Sequence, residues 1–387
     1  MGRVPATIAT GLVSSGGVEA FEEAAARAQV GLGGAPADLV LVFAGAPSVE
    51  DVDEGVVAVR DRLGAPALVG CGAQGVVAGG RELEQGGVAV WAASLPGARI
   101  ETFHLEALPA GEGQVAVAGM PDLDASEALI LLADPWSFPV EPVLAEMAEE
   151  RPGLPVIGGL ASLGGRGGGV LMHGDGVCRA GAVGVALGGV DVRPCVSQGA
   201  RPIGPEMVIT AGEGNVIEEL ASRPALERLK EAIGDLEPHE RGLAARGLLI
   251  GIVIDENQPD YGRGDFLVRG LLSIDEETQS VTVGERVRVG QTVRMQVRDG
   301  PSADEDLDLA LERQLRNLRG PPAGALLFTC NGRGSHMFGA PDHDAAALER
   351  AFGGAPAAGF FCAGEIGPVG KRNFVHGFTA TLAIFAA

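Results

Sequence analysis

The run AGALLFTCNG (Ala323–Gly332), DHDAAALERAFGG (Asp342–Gly354), APAAGFFCAGEIG (Ala355–Gly367) reads as strand, helix and strand. Short apolar runs punctuated by glycine suit buried strands, and the apolar spacing between them suits one helical face. The same order occurs twice upstream. DLVLVFAG (Asp38–Gly45) precedes SVEDVDEGVVAVRDRLG (Ser48–Gly64) and APALVGCGAQG (Ala65–Gly75). EALILLAD (Glu127–Asp134) precedes FPVEPVLAEMAEERPG (Phe138–Gly153) and LPVIGGLASLG (Leu154–Gly164). In the first of these, Val52, Val56, Val59 and Leu63 mark the buried helical face.

Each second strand opens near a proline, which is tolerated at a strand start. Each ends in two glycines five apart: Gly70 and Gly75, Gly159 and Gly164, Gly359 and Gly364. Glycine there permits positive φ or close backbone approach. A further apolar strand follows each time, in Gly86–Ser94, Ala180–Gly189 and His376–Phe385. The first runs through Pro96-Gly97 into ARIETFHL, which reads as an antiparallel hairpin. The pattern predicts an α/β fold of mixed β-sheets with helices on the outer faces, built from repeated strand-helix-strand units in two pseudo-related domains. The boundary is placed near Ser222, giving 1–222 and 223–387.

Between the second and third units the spacing predicts a strand in RPIGPEMVIT (Arg201–Thr210), a helix ending near Gly234, a polar bridge EPHERG, and four strands from Gly247 to Gly300. A helix then starts with Ser302 as N-cap and Asp304, Glu305 and Asp306 in its first turn, where carboxylates favour the helix dipole.

The formal net charge of −22 repels phosphate backbones, and no arginine cluster overrides it, so nucleic acid is not an expected partner. The longest apolar run, Gly247–Ile254, is too short for a membrane span. Five scattered cysteines without a CxxC pair give no structural zinc site. Together with an N-terminus unlike a signal peptide, they suggest a cytoplasmic location with reduced thiols.

LLFTCNGRGSHMFG, followed by PAAGFFCAGEIGPVG and HGFTATLAIF, resembles the C-terminal half of the FIST family. ALVGCGAQG and QGARPIGPEMVITAGEGNVIEEL resemble its N-terminal half. The resemblance implies an intracellular sensory module that binds a small ligand, with amino acids proposed for the family. It also brings an alternative, since some bacterial stand-alone members are haem-binding sensors of nitric oxide. No CxxCH attachment motif is present, and no cofactor is expected. With no output domain after the last strand, the signal is expected to pass to a separate protein; a non-catalytic interaction scaffold is the third reading.

TCNGRG (Thr329–Gly334) ends a buried strand, the edge at which open α/β sheets bind ligands. N–H groups around Asn331, Gly332 and Gly334 would accept an anion, and Arg333 would hold a carboxylate bidentately. AGEIGP ends the neighbouring strand, so Gly364, Glu365 and Gly367 join the candidate ligand-binding set, and Glu365 would take an ammonium. Arg269, near Tyr261, completes it. The competing structural readings are a tight turn with Arg333 facing solvent, and Glu365 capping loop N–H groups. Cys71, Cys330 and Cys362 read as packed strand ends. No complete catalytic constellation is visible, and an enzyme is not expected.

Overall fold

A computed structural model describes residues 6–45, 49–111, 114–165 and 168–387. They form two compact units, residues 1–196 with 308–387, and residues 197–307. The expected boundary at Ser222 falls inside the second unit, because strand Arg201–Glu213 pairs with Thr292–Val297 rather than with the chain before it.

In the larger unit the three strand-helix-strand segments each give a parallel pair: Leu39–Gly45 with Ala67–Ala73, Ala128–Ala133 with Val156–Leu160, and Pro322–Cys330 with Ala357–Cys362. Each following strand returns antiparallel to the first member: Val88–Ser94, Ala182–Gly188 and Ala380–Ala386. The result is three mixed sheets. Their outer faces carry the helices, with Ala24, Ala28, Val52, Val56 and Val59 buried against the first sheet and Val143, Leu144 and Met147 against the second. Their inner faces share one core, in which Phe43 stacks on Phe360 at 5.2 Å and Trp91 meets Phe385 at 5.0 Å.

The edges are completed by exchange. The hairpin Val76–Ala78/Arg81–Leu83, which follows the first parallel pair, adds to Ala357–Cys362 of the third sheet. Leu171–His173/Gly176–Cys178 adds to Ala67–Ala73 of the first. Glu365–Val369/Arg372–His376 adds to Val156–Leu160 of the second. Where the exchanged chains cross, Ser162 Oγ accepts from Gln74 N at 2.8 Å and donates to Phe361 O at 2.5 Å. In the first and third pairs the second glycine serves this crossing by close approach: a Cβ on Gly75 would lie 2.3 Å from Leu83 O, and one on Gly364 3.0 Å from Leu160 Cδ1.

The sequence reading of a hairpin through Pro96-Gly97 is corrected. Val88–Ser94 lies in the first sheet, whereas Arg99–Gly111 pairs with Ala182–Gly188 and Gln114–Ala118 in the second, so the turn switches sheets. GGRGGG, which straddles residues outside those described, pairs Gly164–Gly165 with Gly168–Gly169 as a hairpin.

The second unit is a closed antiparallel barrel. Its strands run Arg201–Glu213, Thr292–Val297, Leu249–Val253, Phe266–Asp275, Ser280–Val283 and Val216–Leu220, and the last pairs back to the first. Ile203, Ile209, Ile217, Ile250, Val283 and Met295 fill it, and Leu226, Leu229 and Leu243 pack from helices Ala225–Gly234 and Pro238–Arg246. Three local readings change here. The helix ending at Gly234 begins only at Ala225, because Val216–Leu220 is a strand; EPHERG opens a helix rather than a bridge. The next helix begins at Gly300, and Asp299 Oδ1, not Ser302, caps it by accepting from Ser302 N at 2.8 Å. Asp306 therefore lies past the first turn, buried, and accepts from Ser197 Oγ and Gly199 N at 2.7 and 2.9 Å.

Gly359 sits in the centre of a parallel pair, where an added Cβ would lie 1.6 Å from Leu327 O. Gly359→Ala is expected to destabilise by about 3 kcal/mol or more in urea denaturation. Gly153→Ala, at φ 83° with nothing near its Cβ, should cost about 1 kcal/mol, and equal losses would contradict the packing account.

Candidate functional site

The two motifs singled out in the C-terminal half meet at the carboxyl ends of Pro322–Cys330 and Ala357–Cys362. Cys330 and Cys362 are register partners, and Asn331 N donates to Cys362 O at 2.9 Å. Glu365 begins the next strand with no exposed surface. Its Oε2 accepts from Thr379 N at 3.0 Å and from Thr379 Oγ1 at 2.7 Å. Its Oε1 is buried without a well-aligned hydrogen bond, and so is Asn331 Oδ1. The polar group beside the carboxyl is the Cys330 thiol.

Burial pushes Glu365 up to about 7, against the lowering effect of the Thr379 bonds. Burial, then the Glu365 charge, pushes Cys330 up to about 12, although the N–H groups of Gly332 and Phe378 act in the opposite sense.

Arg333 is not available as a carboxylate clamp. It is almost wholly buried, and Nε and Nη2 donate to Asp344 Oδ2 and Oδ1, both at 2.7 Å. Thr329 Oγ1 also donates to Asp344, at 2.6 Å, and His343 Nδ1 bonds to it at 2.9 Å. The backbone nest is partly spent as well, since Asn331 and Arg333 donate their N–H groups to Cys362 O and Cys330 O. Burial would raise Asp344, but the Arg333 charge and hydrogen bonds hold it well below the usual carboxylate range.

Glu82, from the exchanged hairpin, closes this cluster. Its Oε1 accepts from Ala345 N at 2.9 Å, capping helix His343–Phe352 from elsewhere in the chain. Burial first and the Asp344 charge second push Glu82 up to about 7. Its neighbour Glu84 accepts from Ser335 N and Oγ at 2.7 and 3.0 Å. Gly334 packs against that carboxylate, with an added Cβ 3.2 Å from it.

The remaining expected residues have structural settings. A Cβ on Gly364 or Gly367 would press on Leu160 or Val196. Gly367 O accepts from His376 Nε2 at 3.1 Å. Arg269 belongs to the other unit, where Glu285 engages it at 3.3 Å; Tyr261 OH faces Glu256 at 3.3 Å. Asp344, Glu82, Thr329 and Thr379 went unnoticed in the sequence. DHD at 342–344 looks like an ordinary helix start, and nothing in GGRELEQGG marks Glu82 as its distant cap.

With the geometry in place, comparison with known proteins bears on its meaning. A model of the FIST N domain matches residues 38–223, and a model of the FIST C domain matches residues 225–368. The chain belongs to the FIST family. An uncharacterized protein of Mycobacterium tuberculosis is 48% identical over 369 residues, covering 95% of this chain and 96% of that protein. One of Mycobacterium bovis is 44% identical, covering 95% of each. FIST domains are associated with sensory signal transduction. No described helix of this FIST protein is long and apolar enough to cross a membrane.

For the haem alternative, three imidazoles of this FIST chain are already engaged. His376 is bonded to Gly367 O, His104 Nε2 to Ala180 O at 2.9 Å, and His343 to Asp344 while stacked on Phe338. His173 lies 6.4 Å from the His104 ring with Nε2 buried and without a hydrogen-bond partner, and His239 and His336 are exposed.

Arg333→Ala strands a buried carboxylate, and a loss of about 3–5 kcal/mol is expected in urea denaturation. Arg333→Met combined with Asp344→Leu should lose clearly less; an equal loss would mean the ion pair is not what matters. A second expectation concerns pH. Glu82 and Glu365 titrate near 7 in the folded chain against 4.5 for an ordinary glutamate, so the folded state binds the extra protons. Their stabilising contribution is full below about pH 4.5 and is lost as pH rises through about 7. Asp344 acts oppositely, its contribution failing only in strong acid. Urea midpoints should therefore fall from pH 5 to pH 8, and Glu365→Gln should flatten part of that fall.

Proposed function

We propose that this FIST protein is a non-catalytic, cytoplasmic sensor of a small polar metabolite bearing an amine, such as an amino acid. The observation that carries the reading is the pair of buried acceptors without aligned donors, Glu365 Oε1 and Asn331 Oδ1, at one set of strand ends. Two acceptors favour a ligand rich in N–H groups, and an ammonium would stabilise the ionised Glu365, whose proton is released to solvent as the ligand binds. The ligand's other end does not rely on Arg333, which Asp344 occupies.

Entry passes beneath Phe378. That ring is 48% exposed, sits at φ 60°, and covers Gly332, where an added Cβ would lie 2.4 Å from it. Thr379, next in the chain, holds Glu365. A ligand that takes over Glu365 therefore loosens the segment leading into the last strand, and that displacement is the signal offered to a separate partner protein.

The test is a thermal-shift screen of amino acids and simple amines. A binder at a hundred times its Kd adds about 2.7 kcal/mol of stability. Its affinity should rise about tenfold per pH unit up to the Glu365 midpoint near 7, and Glu365→Gln should abolish that slope. If no amine shifts the melt at millimolar concentration, or if Glu365→Gln and Asn331→Ala leave a hit unchanged, the reading fails.

A further inference from the structure

Cys330 and Cys362 face each other across neighbouring parallel strands in the same register. Strands in a sheet lie about 4.8 Å apart, inside the Cα separations that disulfides span. Register partners also project their side chains to the same face. Here it is the inner one, because Thr329, next to Cys330, bonds Asp344 on the helical side, while Phe328, Phe360 and Cys362 belong to the shared core. The Cys362 sulfur rests over Gly159, where a Cβ would lie 2.4 Å from it. It donates weakly to Phe360 O at 3.6 Å, with the Cys71 and Cys330 thiols both near enough to act on it.

The two thiols are not equally placed. Cys362 is fully buried, whereas Cys330 keeps 8% of its surface exposed at the strand end. Beside Cys330 stands the Glu365 carboxyl, whose Oε1 is buried without an aligned partner. A sulfur at the strand end, a proton acceptor beside it and a second sulfur in register are the parts of a resolving dithiol.

We propose that Cys330 and Cys362 form a redox pair that a hydroperoxide converts to a disulfide. Cys330 sulfur attacks the peroxide oxygen, its proton passes to Glu365, and the O–O bond breaks. Glu365 returns the proton to the departing oxygen, leaving a sulfenic acid and an alcohol or water. Cys362 then attacks the Cys330 sulfur and the hydroxyl leaves as water with the Cys362 proton. Two thiols are oxidised by two electrons and one hydroperoxide is reduced. Burial and the Glu365 charge keep the thiolate of Cys330 scarce, so the first step depends on proton transfer and is slow. The proposal does not depend on which metabolite binds.

The experiment treats the folded protein with hydrogen peroxide, blocks free thiols with iodoacetamide after unfolding, and maps tryptic peptides without reductant. The expected product joins Gly320–Arg333 to Ala351–Lys371, two hydrogens lighter than their sum and reversed by dithiothreitol. Its rate should rise with pH through about 7. Glu365→Gln should lose that rise and react at least about tenfold more slowly at pH 8. Cys362→Ala should leave a sulfenic acid at Cys330 that dimedone captures. The proposal is overturned if both cysteines remain alkylatable after Cys178 has been oxidised, if Cys362 joins Cys71 instead, or if Glu365→Gln leaves rate and pH profile unchanged.

Discussion

Unpaired strand edges are the constraint to which the larger unit answers, because an open edge presents N–H and C=O groups to any passing chain. Each of its three sheets takes a hairpin from a segment that belongs to another sheet. The exchange fixes much else. It forces the three chains to cross at the strand ends, which is why Ser162 joins Gln74 to Phe361 there and why small residues occupy Gly75 and Gly364. It also brings the inner faces together as a single core, so that burial is shared among the sheets rather than owned by any of them.

The same exchange explains an unusual concentration of charge. Arg333, Asp344 and Glu82 are each buried, and burying an ion is costly unless it is paired and hydrogen-bonded. Asp344 receives Arg333 on two nitrogens, together with Thr329, while Glu82 arrives on the exchanged hairpin to satisfy the start of a helix. The cluster thus ties sequence-distant pieces by polar contacts where the sheets tie them by backbone pairing. It also consumes the guanidinium that a carboxylate ligand would want, leaving Glu365 and Asn331 as the groups with capacity to spare.

Local pattern carried the strands, the outer helices and their parallel pairing, because apolar period and glycine punctuation report on burial directly. Val52, Val56 and Val59 line their helix as their spacing suggests. What local pattern could not carry was partner choice. Val76–Ala78 reads as a short apolar strand in any context, and nothing in it names Ala357–Cys362 as its neighbour. The turn at Pro96-Gly97 failed for the same reason: a tight turn fixes reversal, not the sheet in which the next strand lands. At the candidate site, Glu365 stood out because repeat-like spacing did not account for it. The pairing of Arg333 was not legible, because its partner Asp344 lies within a segment whose helical periodicity already explains it.

Synthesis proceeds from one end of the chain, and the exchange gives that direction a cost in time. Ala78 pairs with Ala358, so the first hairpin leaves the ribosome roughly 280 residues ahead of its partner strand. At about 5–20 residues per second it waits on the order of 15–55 seconds with its edge unanswered. Through that interval the nascent protein holds a sheet-forming segment with no native place to put it. A cell making this chain must keep that segment solitary until the last strands arrive.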